Sequence, residues 1–276
     1  MRIHVAHSPD SDDAFMFYAL ADGRIDTEGF EYVHELQDIE TLNQRAMRGE
    51  LEVTAVSIHA YAYLADRYAL LPHGASMGDR YGPRLVARTP LTRADVAGKR
   101  VAIPGPLTSA YLALRLYEPS FSAVPTPFDE IEDRVADGDV DLGLLIHEGQ
   151  LTFAERGLHL IADLGEWWFE ETGLPLPLGG NVVRKDLGIE VIDKISRHLR
   201  ASIAYGLEHR SSALDHAMQY ARGLDRGKAD TFVGMYVNDW TLDYGDRGRA
   251  AVREFLDRGA KAGIVTRRVD VQFAGD

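Results

Sequence analysis

One pattern occurs twice in this chain, about ninety residues apart. Leu42 to Gly49 has helical spacing and closes on a glycine. Glu50-Leu51-Glu52 follows, then the apolar run Val53-Thr54-Ala55-Val56, which ends at Ser57. Ile131 to Gly138 repeats the helix and glycine. Asp139-Val140-Asp141 follows, then Leu142-Gly143-Leu144-Leu145-Ile146, which ends at His147. Glycine is a standard helix stop because it adopts the left-handed conformation without penalty. A short apolar run between polar flanks fits a buried strand. Each copy thus sets a polar residue at the carboxyl end of a strand, and open α/β sheets bind ligands outside those ends. If the copies lie in two facing lobes, Ser57 and His147 face each other across a cleft. The same order of helix, glycine, acid and strand is common in any α/β protein, so the pattern has a bland reading too.

The rest of the chain keeps alternating. Ile3 to Ala6 reads as a buried strand broken by Ser8-Pro9-Asp10-Ser11, and Asp12 to Ala21 as a helix with acids in its first turn. Further strands are expected near Phe30 to Glu35, at Arg84 to Arg88 and from Lys99 to Ile103. Thr89-Pro90 reads as a crossing into a second lobe and Asn181 to Arg184 as the return. After Leu187 the pattern is helical, with amphipathic stretches at 190–207, 211–222, 228–238 and 246–262. The fold class is therefore α/β with mostly parallel sheets. At ~150 residues per domain, 276 residues make about two. Two crossings give a larger discontinuous lobe, 1–90 with 181–276, and a smaller inserted lobe, 91–180.

Charge narrows the partners. Lys and Arg number 30 against 43 Asp and Glu, a formal charge of −13. A nucleic-acid surface needs clustered cations, and so does an anionic membrane; neither partner is expected. Cysteine is absent, which removes disulfides, thiolate nucleophiles and cysteine-ligated metals. No apolar run suits a secretory signal or a membrane span. The expectation is a cytoplasmic protein that handles a small molecule.

His147 is the leading chemical candidate. An imidazole at a strand end, after an apolar run, is partly desolvated and mostly neutral at pH 7, so it can accept a proton. Glu148 is either its orienting partner or an unrelated surface acid, and the bland reading of His147 is a capping or core histidine. Gly105-Pro106-Leu107-Thr108-Ser109-Ala110 leads from a strand into a helix, with Thr108 or Ser109 as N-cap. Free amides and hydroxyls there suit a carboxylate or phosphate, as at any strand-to-helix turn. It is not a phosphate loop of the Lys-Ser/Thr kind. Asp10-Ser11-Asp12-Asp13 could suggest magnesium, but acids ahead of a helix are more often caps and dipole partners, so no metal is expected. Trp167-Trp168 and Pro175-Leu176-Pro177 default to core or interlobe packing.

Taken in order, these stretches resemble the 1,4-dihydroxy-6-naphthoate synthase family of the futalosine route to menaquinone. The matching pieces are Ser8-Pro9 with Asp13 and Phe15; Ile39 to Asn43; Ser57 with Ala60-Tyr61-Ala62; Gly82-Pro83 with Val86-Ala87-Arg88; Val101 to Gly105; Thr108 with Ala110-Tyr111; and Ile146-His147-Glu148. Leu164-Gly165 with Trp167-Trp168, Thr172 to Gly179, and Tyr236-Val237-Asn238 with Leu242-Asp243 complete the set. The resemblance implies a two-lobed, periplasmic-binding-protein-like (type 2) fold with a ligand cleft between lobes. It implies a cofactor-independent lyase that converts cyclic de-hypoxanthine futalosine to 1,4-dihydroxy-6-naphthoate with loss of a sugar-derived fragment. His147 would be the general base. Asn43, Ala55, Val56, Ser57, Thr108, Ser109 and Ala110 would form the ligand site.

The chain departs from the family at two places. The family commonly has Cys-Pro-Asn-Asp-Thr-Phe where this chain has Asp10 to Phe15, and often Ser-Arg where it has Gly149-Gln150. Both changes make the site more negative and would disfavour an anionic substrate. The alternatives are a paralogue with another ligand, a non-catalytic solute-binding protein of the same fold, and the sister enzyme that dehydrates chorismate. In that sister enzyme a histidine at the position of His147 is not expected.

Overall fold

The computed structural model describes residues 1–221 and 224–276. The strands are β1 (Arg2–His7), β2 (Glu31–Leu36), β3 (Val53–Ser57), β4 (Tyr68–Leu70), β5 (Ser76–Gly78), β6 (Arg84–Ala87), β7 (Arg100–Ile103), β8 (Ser122–Pro125), β9 (Leu142–Leu145), β10 (His159–Asp163) and β11 (Leu176–Arg184). The helices up to β11 are α1 (Ser11–Ala21), α2 (Ile39–Arg48), α3 (Ile58–Leu64), α4 (Ser109–Tyr117), α5 (Ile131–Asp137), α6 (Gly149–Thr152) and α7 (Leu164–Thr172). After it come α8 (Ile189–Glu208), α9 (Arg210–Ala217), α10 (Arg226–Tyr236), α11 (Asp239–Leu242) and α12 (Gly245–Lys261). The last residue of the expected amphipathic stretch 211–222 lies outside the described residues. None of the described helices is long and apolar enough to cross a membrane.

The strands form two sheets, ordered β2-β1-β3-β11-β4, with β5 on β11, and β8-β7-β9-β6-β10. The two share one plan. In the first, β1 runs parallel to β2 and β3, and β3 is antiparallel to β11. In the second, β7 runs parallel to β8 and β9, and β9 is antiparallel to β6. β3 and β9 thus hold corresponding places, and every residue of both is buried. The repeat in the sequence is a repeat in the fold. Gly49 and Gly138 both end their helices in the left-handed conformation, at φ 73° and 84°, where a side chain would be strained.

The lobes change over earlier than expected at both crossings. β6 pairs along its whole length with β9, from Arg84 opposite Leu145 to Ala87 opposite Leu142, so it belongs to the smaller lobe and Thr89-Pro90 is only the turn after it. β11 begins at Leu176 and already pairs with β5 there, so 176–180 belong to the larger lobe. The two connections touch closely. A Cβ on Gly165 would stand 1.8 Å from the Tyr81 carbonyl oxygen, which leaves room only for glycine.

One apolar core runs through both lobes, with Tyr61, Tyr68 and Tyr244 from the larger and Leu85, Leu112 and Leu142 from the smaller. Trp168 is fully buried in it and donates its indole N–H to the Pro175 carbonyl, as core packing requires. A second core packs α1 against α8, α9 and α10. It fixes the start of α1, which reaches the cleft.

Candidate active site

The ends of β1, β3, β7 and β9 converge on one cleft of about 780 Å³. Ala55, Val56 and Ser57 line it from β3; Thr108, Ser109 and Ala110 from the start of α4; Ile146 and His147 from beyond β9. Asn43 does not line it. It is fully buried behind the wall, where its Nδ2 donates to Ser57 Oγ at 3.1 Å and its Oδ1 accepts from the Ser57 amide at 2.9 Å. Asn43 is therefore placed to position Ser57, in contrast to the direct ligand contact that the resemblance implies. The Ser57 side chain caps no helix, and its oxygen is occupied by Asn43, so its hydroxyl hydrogen is free to serve the cleft.

Thr108 is the N-cap of α4 and accepts from the Tyr111 amide at 3.2 Å. Ser109 donates to the Leu178 carbonyl and accepts from the His59 amide. His59 Nδ1 contacts the Thr108 carbonyl at 3.3 Å, and burial holds its imidazole neutral, down to about 4. These contacts tie the phosphate- or carboxylate-compatible turn to α3 of the other lobe.

His147 sits in the loop between β9 and α6. Its Nδ1 lies 3.0 Å from Oδ2 of Asp10. A carboxylate accepts from N–H, so this contact puts the ring hydrogen on Nδ1 and leaves Nε2 with its lone pair. Nε2 is buried and has no hydrogen-bond partner among the described residues. The Phe128 ring packs on the imidazole, with centroids 3.9 Å apart. The carboxylate at Nδ1 fixes the ring, and Nε2 is left able to accept a proton.

Asp10 overturns the capping reading of the acids before α1. It occupies the N-cap position, yet its side chain caps nothing; it crosses to His147. Asp13 takes the local role and accepts from the Ser8 amide at 2.7 Å, which closes the loop from which Asp10 projects. Desolvation, with Asp10 nearby, raises the Asp13 carboxyl to about 6 against the pull of that hydrogen bond. Asp12 is pushed well above the usual carboxylate range, first by desolvation and then by the charges of Asp13, Asp10 and Glu148.

No Lys or Arg is among the described residues that line the cleft. Asp10, His147 and Glu148 each offer a ligand atom within 4.8 Å of the others, the one such group among the described residues. One imidazole nitrogen and two carboxylate oxygens suit zinc better than magnesium. Other lining residues escaped the sequence reading: Ser76, Gln150, Asn181, Phe232 and Tyr236. Asp10 was within reach of the strand-end rule, because the loop after β1 ends a parallel strand just as Ser57 and His147 do.

Residues 3–261 match the family described as menaquinone biosynthesis. The chain belongs to that family. It is 42% identical over 261 residues to a 1,4-dihydroxy-6-naphthoate synthase of Thermus thermophilus, covering 94% of each chain. It is 38% identical over 269 residues to a synthase of the same name from Streptomyces coelicolor, covering 95% of this chain and 94% of that one. The crystal structure of an Archaeoglobus fulgidus protein superposes with a TM-score of 0.92 at 48% identity, covering 95% of this chain and 98% of that one. The alkanesulfonate-binding protein of Xanthomonas axonopodis, at 11% identity and a TM-score of 0.69 over 98% of this chain and 96% of that one, shares the fold alone. The periplasmic-binding-protein-like architecture expected from the resemblance is thus the one observed.

Proposed function

We propose that the protein is a 1,4-dihydroxy-6-naphthoate synthase acting on cyclic de-hypoxanthine futalosine, with His147 as general base. The observation that carries the reading is His147 in the wall of the cleft, with Nδ1 on Asp10 and Nε2 unpartnered among the described residues. Family membership supports the substrate class.

The reaction requires removal of a proton and elimination of a sugar-derived fragment, and aromatisation to the naphthoate drives it. Nε2 of His147 takes the proton. Asp10 then faces an imidazolium and stabilises it as it forms, the electrostatic part of the catalysis. Ser57 and the amides at the start of α4 hold the substrate carboxylate, without a cation. Closure of the lobes excludes water.

The test is direct. Purified protein and cyclic de-hypoxanthine futalosine are expected to give the naphthoate by mass, and His147→Ala to lose activity by ~10²-fold or more. Tight binding of another small molecule without product from the intact protein would make this a binding protein instead.

A further inference from the structure

The four polar groups of Gln150 have different fates, and its backbone N–H donates to the His147 carbonyl at 2.8 Å. Gln150 is fully buried and lines the cleft. Its carbonyl accepts from Arg84, a guanidinium that also faces Asp163. Its Oε1 accepts from the Tyr236 hydroxyl at 2.8 Å. Its Nε2 has no partner among the described residues. Tyr236 is buried as well, and burial keeps its phenol protonated. In this arrangement the phenol hydrogen goes to the Oε1 end of the amide. The N–H₂ end is left as a donor in a dry wall. Buried donors in folded proteins find acceptors, and in the wall of a cleft the acceptor comes from the ligand.

A second unpartnered group of opposite polarity lines the same cleft. Asn181 is buried, its Nδ2 donates to the Gly74 carbonyl at 3.2 Å, and its Oδ1 has no partner among the described residues. It can accept from a hydroxyl. The acids near Gln150, with no Lys or Arg among the described residues lining the cleft, favour a neutral occupant over an anion. Asp10, Asp12 and Asp13 lie in the wall, Asp12 and Asp163 act on Tyr236, and Arg84 is already matched to Asp163. A carboxylate placed at Nε2 would meet these acids with no cation of its own, whereas a neutral oxygen would not.

We infer that Gln150, positioned by Tyr236, determines specificity by donating its Nε2 hydrogen to a neutral oxygen, a hydroxyl or carbonyl, of the sugar-derived part of the substrate. The inference rests on the function proposed above and assigns this end of the cleft to the fragment that is lost. The carboxylate-bearing ring then lies toward Ser57 and α4. Tyr236 acts through Gln150 and is a positioning residue.

The experiment measures binding of cyclic de-hypoxanthine futalosine and of the naphthoate product, which lacks the sugar-derived part, by calorimetry, with KM and kcat alongside. Gln150→Ala is expected to weaken substrate binding about tenfold and leave product binding unchanged. Tyr236→Phe should shift substrate binding in the same direction by a smaller factor, at unchanged product affinity. Gln150→Arg should not tighten substrate binding. Equal losses for substrate and product, unchanged substrate binding in Gln150→Ala, or tenfold tighter binding in Gln150→Arg would each overturn the inference while wild-type turnover still upheld the function. Wild-type protein that neither binds nor converts the substrate would overturn both. If Gln150→Ala fails to fold, Tyr236→Phe and Gln150→Arg carry the test by the same criteria.

Discussion

Nδ1 of His147 stands 3.0 Å from a carboxylate oxygen of Asp10, and the two residues arrive from different lobes. The contact does two things at once. It selects the tautomer that leaves Nε2 basic, and it closes the cleft on the side where the base works. An amide at position 10 can turn its N–H₂ toward Nδ1 and favour the other tautomer. Asp10→Asn is therefore expected to lower kcat by ~10²-fold or more while KM changes little, since positioning of a catalytic base is being lost rather than ground-state binding. Steady-state kinetics check it, and an Asp10→Asn enzyme with native kcat would remove Asp10 from the mechanism.

How much of this was legible in the sequence follows from how each residue is held. His147 and Ser57 are placed by their own strands, so a local repeat reveals them. Thr108 is placed by the helix it caps, and its N-cap role is also local. Asp10 could have been found by the strand-end rule, but the partners that Asp10 and Gln150 meet lie on the opposite lobe, and the chain near them does not name those partners: Gln150 meets Tyr236 across 86 residues. The acids at the start of α1 even have a sound local explanation, which Asp12 and Asp13 in its first turn fit, whereas the Asp10 side chain makes no capping hydrogen bond. The lobe boundaries failed for a related reason. Thr89-Pro90 looks like a crossing, but the sheet to which β6 belongs is decided by its pairing with β9.

Asn43 gives a prediction that separates support from contact. Its two hydrogen bonds to Ser57 are buried, and removing the amide leaves the Ser57 N–H without an acceptor. Asn43→Ala should cost about 2–3 kcal/mol of unfolding free energy and raise KM through a displaced Ser57. Chemical denaturation and KM measured on the same variant check it. A raised KM with undiminished stability would mean that Asn43 itself meets the substrate.

Stability should fall in mild acid. His7, His34 and His59 are buried neutral, with imidazoles lowered to about 3, 4 and 4, in each case chiefly by burial. Between those values and the unfolded value near 6.5 the unfolded chain binds more protons, so stability is full above about 6.5 and declines as pH falls toward 4. Asp13, raised to about 6, acts in the opposite sense between about 6 and its unfolded value and offsets part of that loss. His59→Gln removes one titrating group. Its deficit relative to the intact protein should shrink by about 3 kcal/mol from pH 7 to pH 4, measured by urea unfolding. A deficit that stays constant over that range would show that His59 is not held neutral in the fold.

The cluster of Asp10, His147 and Glu148 makes the site vulnerable to zinc. The three offer ligand atoms within 4.8 Å of one another, and imidazole with carboxylates is a good zinc set. A zinc ion bound there draws on the lone pairs that tautomer selection and proton removal need, so it competes with the base rather than assisting it. Micromolar zinc is expected to inhibit, and a chelator to restore activity in full. Magnesium should have little effect, because it demands six oxygen ligands in near-octahedral geometry. The residual activity of Asp10→Asn should be less sensitive to zinc than the intact enzyme, since one anionic ligand is gone. Activation by zinc, or loss of activity on chelation alone, would turn the assignment of His147 from base to metal ligand.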